Sequence, residues 1–364
     1  MYHVTAYRMR RKTREDRIMQ KNRRTYLRAP IVEKTVFPTG FAPLVVTTRE
    51  QALRQRHKIG VDLMGNDNAP QVIIDALKEL SLPESIEITA IGSSDFEAAA
   101  KPFRYVASPE FIGMEEHPLL ALRKKRNASI PIGLRLLKEG KLDAFVSAGN
   151  TGALVAGAKM ILATCKGILR PCLLTLMPTK KNPVAVLDVG ANVQVKATHL
   201  VQFALIGAAY QKARGIKKPV LGLLNIGSEP LKGTSELRLA YHELQTRPHP
   251  SFRFAGNIEG KSVFEGDVDV LVTDGFTGNI FLKTAEGIAS LILDRIQPHI
   301  PLAEIKKFQS LHYAEYPGAL LAGIKGIVIK CHGYSTPKGF ANAVLGASEL
   351  VKEKFVQKLA NDLL

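Results

Sequence analysis

The amino-acid sequence predicts an α/β fold with a mostly parallel sheet, and two observations lead to this prediction. Short apolar runs rich in β-branched residues, each ending in glycine, alternate with segments of helical periodicity. Such alternation is typical of βαβ units, whose helices cover both faces of a parallel sheet. The predicted strands are "KIGVDLMG", "IEITAIG", "LDAFVSAG", "VAVLDVG", "VLGLLNIG" and "VDVLVTDG". The predicted helices cover residues 70–81, 131–141, 151–167, 196–215 and 276–296.

Charge divides the chain into two parts. It has 364 residues, 46% hydrophobic and 23% charged, with a net charge of +17. Residues 1–57 hold 14 Lys/Arg and 4 Asp/Glu, so they contribute +10 and the rest of the chain +7. We therefore predict a basic, disordered N-terminal extension over 1–57 and a catalytic α/β domain over 58–364. The extension suits a contact with anionic lipid or nucleic acid, or an organellar transit peptide, although Glu15 and Asp16 count against the last.

Cysteine content and hydropathy indicate a cytoplasmic protein. The three cysteines are an odd number without a C-x-x-C pair, which argues against a disulfide framework and a zinc site. No run of 18 apolar residues is present, so no membrane-spanning helix is expected. We expect no metal and no cofactor.

Five polar loops follow the predicted strands. Ligands of parallel α/β sheets bind beyond the carboxyl ends of the strands, so we expect these loops to share one edge and form a site. Glycine lets backbone N–H groups approach a ligand, and a helix N-terminus beyond it suits a phosphate-like anion. Each loop alone is equally typical of ordinary turns and helix caps. The polar residues concerned are Asp62, Asp67, Asn150, Thr151, Asp188, Asn192, Lys232, Asp274 and Asn279.

Several familiar chemistries lack their motifs. No G-x-G occurs, which excludes the dinucleotide fingerprint, and "AGNIEGKS" at 255–262 has one residue too few for a P-loop. No G-x-S-x-G or H-E-x-x-H is present. In "KCHG", Cys331 and His332 would point to opposite faces of a strand, so we interpret Cys331 as a buried structural residue. His332 is a candidate site residue, and a structural histidine is an equal alternative. What remains is a site that positions an anionic nucleophile and stabilises an oxyanion.

Seven ordered motifs resemble one family over residues 58 to 350. They are "VDLMGNDNAP", "SAGNTGAL", "LDVGAN", "NIGSEPLKG", "GNIEG", "TDGFTGNIFLK" and "YPGALLAGIKGIVIKCHG". They are similar to those of the bacterial acyl-carrier-protein:phosphate acyltransferases of phospholipid synthesis. The resemblance implies a Rossmann-like, phosphotransacetylase-like α/β/α sandwich and a homodimer. It also implies conversion of acyl-[acyl-carrier-protein] and inorganic phosphate to acyl phosphate, which a membrane glycerol-3-phosphate acyltransferase then uses.

The resemblance also assigns roles to residues of this chain. Lys232 and Asn279 are implied as catalytic, acting on phosphate or on the thioester oxyanion. Substrate binding is expected of the supporting residues Asn150, Thr151, Asn192 and Asp274, together with His332.

Partner surfaces follow from charge and from departures in the sequence. Acyl carrier protein is acidic, and the densest basic run of the body, Arg123, Lys124, Lys125 and Arg126, is a candidate docking face or an ordinary solvated helix face.

The sequence departs from the family pattern at two places that bear on function. Asn66 replaces a glycine of the family motif. The segment 297–315 is shorter than the helical hairpin through which many relatives contact the bilayer, which leaves a peripheral membrane contact open. The basic extension is a candidate substitute.

Two alternative functions are compatible with the sequence. A phosphotransacetylase-like enzyme would use acyl-CoA in the same chemistry, and a comparison of the two thioesters separates them. A scaffold protein on the same frame would bind nucleic acid through the basic extension, with salt-sensitive affinity and no thioester phosphorolysis.

Overall fold

The computed structural model describes residues 56–65, 69–79, 82–296, 299, 318–333 and 336–363. Outside the described residues lie residues 1–55 of the predicted basic extension, Asn66 and Asp67, and almost all of the segment 297–315. His57, placed in the extension by the prediction, is instead the first residue of the first strand. Within the described part of the chain, no helix is long and apolar enough to cross a membrane.

Eleven strands in the described residues form one sheet in the order β3-β2-β1-β4-β11-β10-β5-β6-β9-β7-β8. Their bounds are β1 His57–Asp62, β2 Ile86–Gly92, β3 Arg104–Ala107, β4 Ala144–Ser147, β5 Cys172–Met177, β6 Val184–Leu187, β7 Val220–Asn225, β8 Arg253–Glu259, β9 Val270–Val272, β10 Ala319–Ala322 and β11 Ile327–Lys330. All six predicted strands are present, so that prediction is confirmed. The sequence analysis missed β3, β5, β8, β10 and β11.

Helices flank the sheet in both halves of the described chain. Their bounds are α1 Pro70–Glu79, α2 Pro118–Lys124, α3 Ser129–Lys138, α4 Thr151–Ile161, α5 Ala197–Ala213, α6 Ser235–Thr246, α7 Gly260–Val263, α8 Gly275–Ile296, α9 Pro337–Lys352 and α10 Phe355–Asp362, with a 3₁₀ turn at Ser94–Phe96. The five predicted helices correspond to α1, α3, α4, α5 and α8.

The sheet is buried on both faces, as the continuous apolar runs predicted. Strand β4 is buried throughout, and its side chains alternate between two apolar clusters: Ala144 and Val146 in one, Phe145 in the other. Phe203 of α5 belongs to the first cluster and Leu134 of α3 to the second. The arrangement is therefore an α/β/α sandwich with a mostly parallel sheet, which confirms the predicted fold class.

The two halves of the sheet run in opposite directions. Strands β1, β4 and β11 pair in parallel, as do β6, β9, β7 and β8. Between these groups, β11–β10, β10–β5 and β5–β6 are antiparallel pairs. Three reversals place the carboxyl ends of the two groups at opposite ends of the strands. The expectation that all five polar loops share one edge is therefore wrong.

The loops instead form two groups. We call the strand ends followed by 188–192, 226–234 and 273–279 the Lys232 end, because Lys232 lies there after β7. We call the strand ends followed by 63–65, 148–150 and 331–333 the Asp62 end, because Asp62 ends β1.

Close packing of α5 on the sheet supplies a stability test. A Cβ on Gly207 would lie 2.4 Å from Val270 Cγ1 and 3.0 Å from Leu187 Cδ2, whereas one on Gly287 of α8 would meet no atom within 4 Å. We predict that Gly207→Ala lowers the free energy of unfolding by roughly 1–3 kcal/mol through overpacking. Gly287→Ala is the matched control and should raise it by up to about 1 kcal/mol, because alanine favours helix. Urea unfolding measures both, and equal effects would contradict the packing argument.

Candidate active site

Lys232 lies in an exposed loop that joins β7 to α6. Its side chain is 49% exposed, and its Nζ lies 3.9 Å from Glu229 Oε1. The side chain of Lys232 lies against Gly227, because a Cβ added to this glycine would lie 3.2 Å from Lys232 Cγ. Thr234 caps the helix that follows by accepting a hydrogen bond from Leu237 N at 3.3 Å. The loop thus presents a cation to solvent just beyond a buried strand.

Asn279 lies in the second turn of α8, at the same Lys232 end. Its side chain is exposed, and its Nδ2 would lie 3.8 Å from a Cβ on Gly190. Since β9 pairs directly with both β7 and β6, the loops that carry Lys232, Asn279 and Gly190 follow three neighbouring strands. The two residues implied as catalytic therefore follow adjacent strands, Lys232 in a loop and Asn279 in the first part of a helix.

A buried carboxylate organises the loop after β6. Asp188 Oδ1 accepts hydrogen bonds from the backbone N–H groups of Leu173 at 2.9 Å, Gly190 at 3.1 Å and Ala191 at 2.9 Å. Its Oδ2 accepts from Asn192 N at 2.7 Å and Asn192 Nδ2 at 2.8 Å. Burial raises the pKa of Asp188 above its ordinary value, and the hydrogen bonds oppose this effect. The carboxylate thereby joins the start of β5 to the turn 188–192.

Helix α8 is seated on this turn through two glycines. Gly275 N donates to Asn192 O at 2.7 Å, and a Cβ on Gly278 would lie 2.0 Å from Asp188 O. Asp274 caps the helix, since its Oδ1 accepts from Phe276 N at 3.0 Å and Thr277 N at 2.8 Å. These bonds occupy the first amides of α8, so the predicted anion site at this helix N-terminus is not available in the structure.

Asn192 and Asp274 are both bound within the protein. Asn192 Nδ2 also donates to Pro171 O at 2.8 Å, and Asp274 Oδ2 accepts from Thr277 Oγ1 at 2.8 Å. Their observed role is to hold the turn and the helix that carry Gly190 and Asn279. Direct substrate binding by either side chain stays a prediction.

Asn150, Thr151 and His332 lie at the other end of the strands, the Asp62 end. Asn150 caps α4, because its Oδ1 accepts from Ala153 N at 3.0 Å. Its Nδ2 donates to the carbonyls of Gly113, Met114 and Glu116, so the side chain also holds the loop before α2. The structure does not bring these three residues to the strand ends that carry Lys232 and Asn279. Their role in substrate binding stays a prediction.

The Asp62 end also contains a buried polar cluster that the sequence analysis did not identify. Asp62 Oδ2 accepts from Ser147 Oγ at 2.7 Å, and its Oδ1 accepts from Met64 N at 3.0 Å. Lys330, buried at the end of β11, donates to Ala148 O at 3.1 Å and also to Cys331 O. In the sequence, Lys330 interrupts the apolar run "ALLAGIKGIVIKCHG". A charge that ends a strand within such a run was the available signal.

Cysteine chemistry is not supported at this end. Cys331 is buried, and burial raises the pKa of its thiol to about 12. His332 is exposed just beyond it. The interpretation of Cys331 as a buried structural residue is confirmed.

The basic run is divided by the structure. Arg123, Lys124 and Arg126 are exposed at the end of α2 and just beyond it. Lys125 instead contacts Glu116 at 2.6 Å and donates to Phe111 O at 2.9 Å. Its hydrogen bond lowers the pKa of Glu116. A docking face would therefore rest mainly on the other three cations.

The fold is that of the phosphotransacetylases. A crystal structure of a phosphotransacetylase from Streptococcus pyogenes matches with a TM-score of 0.57, covering 84% of this chain and 97% of that chain at 18% identity. At this level of identity, the similarity shows the fold alone.

The chain belongs to the fatty acid synthesis protein family, whose sequence model matches residues 57–358. It is 39% identical over 326 residues to the phosphate acyltransferase of Desulforamulus reducens, covering 84% of this chain and 97% of the relative. It is 40% identical over 323 residues to the phosphate acyltransferase of Chlamydia pneumoniae, covering 84% and 99%. The family resemblance is confirmed, and the protein is an acyltransferase of lipid synthesis.

The buried carboxyl of Asp62 makes stability depend on pH. Burial raises its pKa from an ordinary value near 3.8 to about 6, although the hydrogen bonds from Ser147 and Met64 lower it. Between about pH 4 and 6 the folded chain keeps a proton that the unfolded chain has released, so the free energy of unfolding should fall as pH rises. Asp62 should contribute roughly 3 kcal/mol to this fall, and Asp62→Asn should remove that contribution and leave the part that the buried Asp188 adds. Urea unfolding at each pH tests this; an equally steep fall in the variant would contradict it.

Proposed function

We propose that the protein transfers the acyl group of acyl-[acyl-carrier-protein] to inorganic phosphate. An oxygen of the phosphate dianion attacks the thioester carbonyl, the C–S bond breaks, and the proton of the phosphate passes to the carrier thiolate. The products are acyl phosphate and the free carrier protein. Phosphate is anionic near neutral pH, so little help from a general base is needed.

The placement of Lys232 and Asn279 beyond neighbouring strand ends carries this proposal. Both side chains are exposed; Lys232 lies in the loop after β7, and Asn279 lies in the helix that follows its paired strand β9. Lys232 offers a positive charge and Asn279 an amide donor, which together can stabilise phosphate or the oxyanion of the tetrahedral intermediate. The names of the relatives, phosphate acyltransferases, support acyl transfer with phosphate, and the carrier-protein thioester is proposed from the sequence resemblance.

Exposed apolar side chains on the same loops support an acyl substrate. Ile226 and Leu231, on the loop of Lys232, are each 83% exposed. Val193 follows the Asp188 turn, and Phe276 and Ile280 flank Asn279 along α8; all three are also exposed. Apolar groups around polar catalytic loops suit a substrate that joins a thioester to a hydrocarbon chain.

A second candidate is the same reaction with acyl-CoA as the thioester. The fold shared with a phosphotransacetylase favours it. Measurement of kcat/KM for carrier-bound and CoA-bound thioesters of equal chain length separates the two. Preference for the CoA thioester would overturn the carrier-protein assignment.

Some proposed partners rest on the resemblance alone. We propose a homodimer, a peripheral membrane contact and delivery of the product to a membrane glycerol-3-phosphate acyltransferase. The mass of the native protein in solution tests the first proposal, and sedimentation with anionic vesicles tests the second. If membranes acylate glycerol-3-phosphate at the same rate without this protein, the third proposal is contradicted.

The central experiment measures thiol release from long-chain acyl carrier protein in the presence of phosphate. We predict that Lys232→Ala and Asn279→Ala each lower kcat/KM by roughly a hundredfold or more, because each removes a group that stabilises developing charge. Lys352→Ala is the control, since Lys352 is also about half exposed and lies 3.5 Å from the carboxylate of Glu349, three residues before it, but on α9 in the other half of the fold. Full activity of the Lys232 variant would overturn the mechanism.

Charge reversal tests the docking face for the carrier protein. We predict that Arg123→Glu combined with Lys124→Glu raises KM for acyl carrier protein roughly tenfold and weakens its salt dependence, because steering of an acidic partner is lost. KM for phosphate should not change. Lys217→Glu with Lys218→Glu, an exposed basic pair before β7, is the matched control. Equal effects of the two pairs would refute a specific face.

A further inference from the structure

Two buried asparagines at the ends of β7 and β8 hold the loop of Lys232. Asn225 is 9% exposed, and its Nδ2 donates to Lys232 O at 3.1 Å, while its Oδ1 accepts from Ile226 N at 2.8 Å. Asn257 is 6% exposed, and its Nδ2 donates to Glu229 O at 2.8 Å. The amide of Asn225 thus joins the start of the loop to its end, and the amide of Asn257 holds the middle of the loop.

Both backbone polar groups of Lys232 are fixed by this arrangement. Its N–H donates to Glu229 O at 3.1 Å, the carbonyl that Asn257 also holds, and its own carbonyl is held by Asn225. The next residue, Gly233, has a φ of +85°, in the left-handed region that favours glycine. A Cβ at this position would lie 2.5 Å from Asn225 Oδ1. The peptide of Lys232 therefore has a defined place while its side chain remains exposed.

The amide of Asn257 is incompletely satisfied. Its Oδ1 is buried and finds no hydrogen-bond partner among the residues that the structure describes. Such a group costs about 1–3 kcal/mol, and an apolar side chain of similar shape would avoid the cost. Burial of an unsatisfied amide is poorly explained by stability, and the donor that it supplies to Glu229 O gives a reason for its presence.

We propose that Asn225 and Asn257 are positioning residues that set the location of the Lys232 ammonium in the reaction. The inference rests on the proposed function, because Lys232 must act on phosphate or on the oxyanion. Both asparagines are buried, and their amide groups donate to the backbone of the loop, so we assign them a positioning role. A displacement of about 1 Å in a catalytic group lowers rates by about a hundredfold, so support of this loop controls the reaction rate.

A double-mutant cycle tests the inference. Asn257→Leu keeps the size of the side chain and removes the donor, and we expect it to lower kcat by roughly tenfold to a hundredfold when Lys232 is present. In a Lys232→Ala background the same substitution should change kcat less than about threefold, because the group that it positions is absent. Asn225→Ala should show the same dependence on Lys232. Equal fractional losses in both backgrounds would overturn the proposal.

The control is another buried amide, Gln211, which contacts the segments that precede β6 and β9 and so lies at the opposite end of these strands from the loop of Lys232. Gln211 of α5 donates from Nε2 to Pro183 O at 3.3 Å and to Asp269 O at 2.5 Å, before β6 and β9 begin. Gln211→Leu should alter the free energy of unfolding and act equally with and without Lys232.

The outcomes separate the two proposals. If Lys232→Ala alone keeps full thiol release, the proposed function of Lys232 fails. If it loses activity while the asparagine effects are independent of Lys232, only the positioning role fails. If Asn257→Leu does not fold, Asn257→Ser and Asn225→Ala give the same cycle, and their additivity with Lys232→Ala is then the contradicting result.

Discussion

The buried carboxylate of Asp188 is the interaction on which the Lys232 end depends. It gathers five N–H donors from the start of β5 and from the turn 188–192, and its own backbone carbonyl lies against Gly278 of α8. Asn192, held by that carboxylate, accepts the bond from Gly275 that starts the helix. Without this carboxylate, four donors of the turn and one of β5 would need partners elsewhere, and the position of Asn279 beside Gly190 would lose its support.

The sequence predicted the elements that have a regular pattern. Apolar runs ending in glycine identified β1, β2, β4, β6, β7 and β9, because buried parallel strands leave a continuous hydrophobic signal and their loops need tight turns. Strands β5 and β10 belong to antiparallel pairs and were not predicted. Strand β5 is followed by Pro178, so it lacks the glycine signal, whereas β10 is followed by Gly323 and carried the signal without being recognised. Their presence reverses the sheet, and this is why two groups of loops were mistaken for one. Strand direction is set by pairing between distant segments, which local periodicity does not record.

The site was predictable in its residue types and less so in their roles. Lys232 and Asn279 do lie at one end of paired strands, on neighbouring loops. Asn150, Asn192 and Asp274 were expected to bind substrate, and the structure shows their polar atoms engaged in caps and turns. The same chemistry that binds an anion also caps a helix, so residue type alone does not separate the two. No role was predicted for Asn225 and Asn257, because the sequence does not distinguish a buried asparagine from one in an exposed turn.

The bonds that hold the loop of Lys232 determine when the conformational entropy of its backbone is lost. The peptide of Lys232 is held by side chains from two strands of the folded sheet, so its conformational entropy is lost once, when the chain folds. A loop that became ordered only on substrate arrival would lose that entropy again in every turnover. If Lys232 acts as proposed, the enzyme therefore meets its substrates with the backbone of this residue already fixed, and only the lysine side chain keeps conformational freedom.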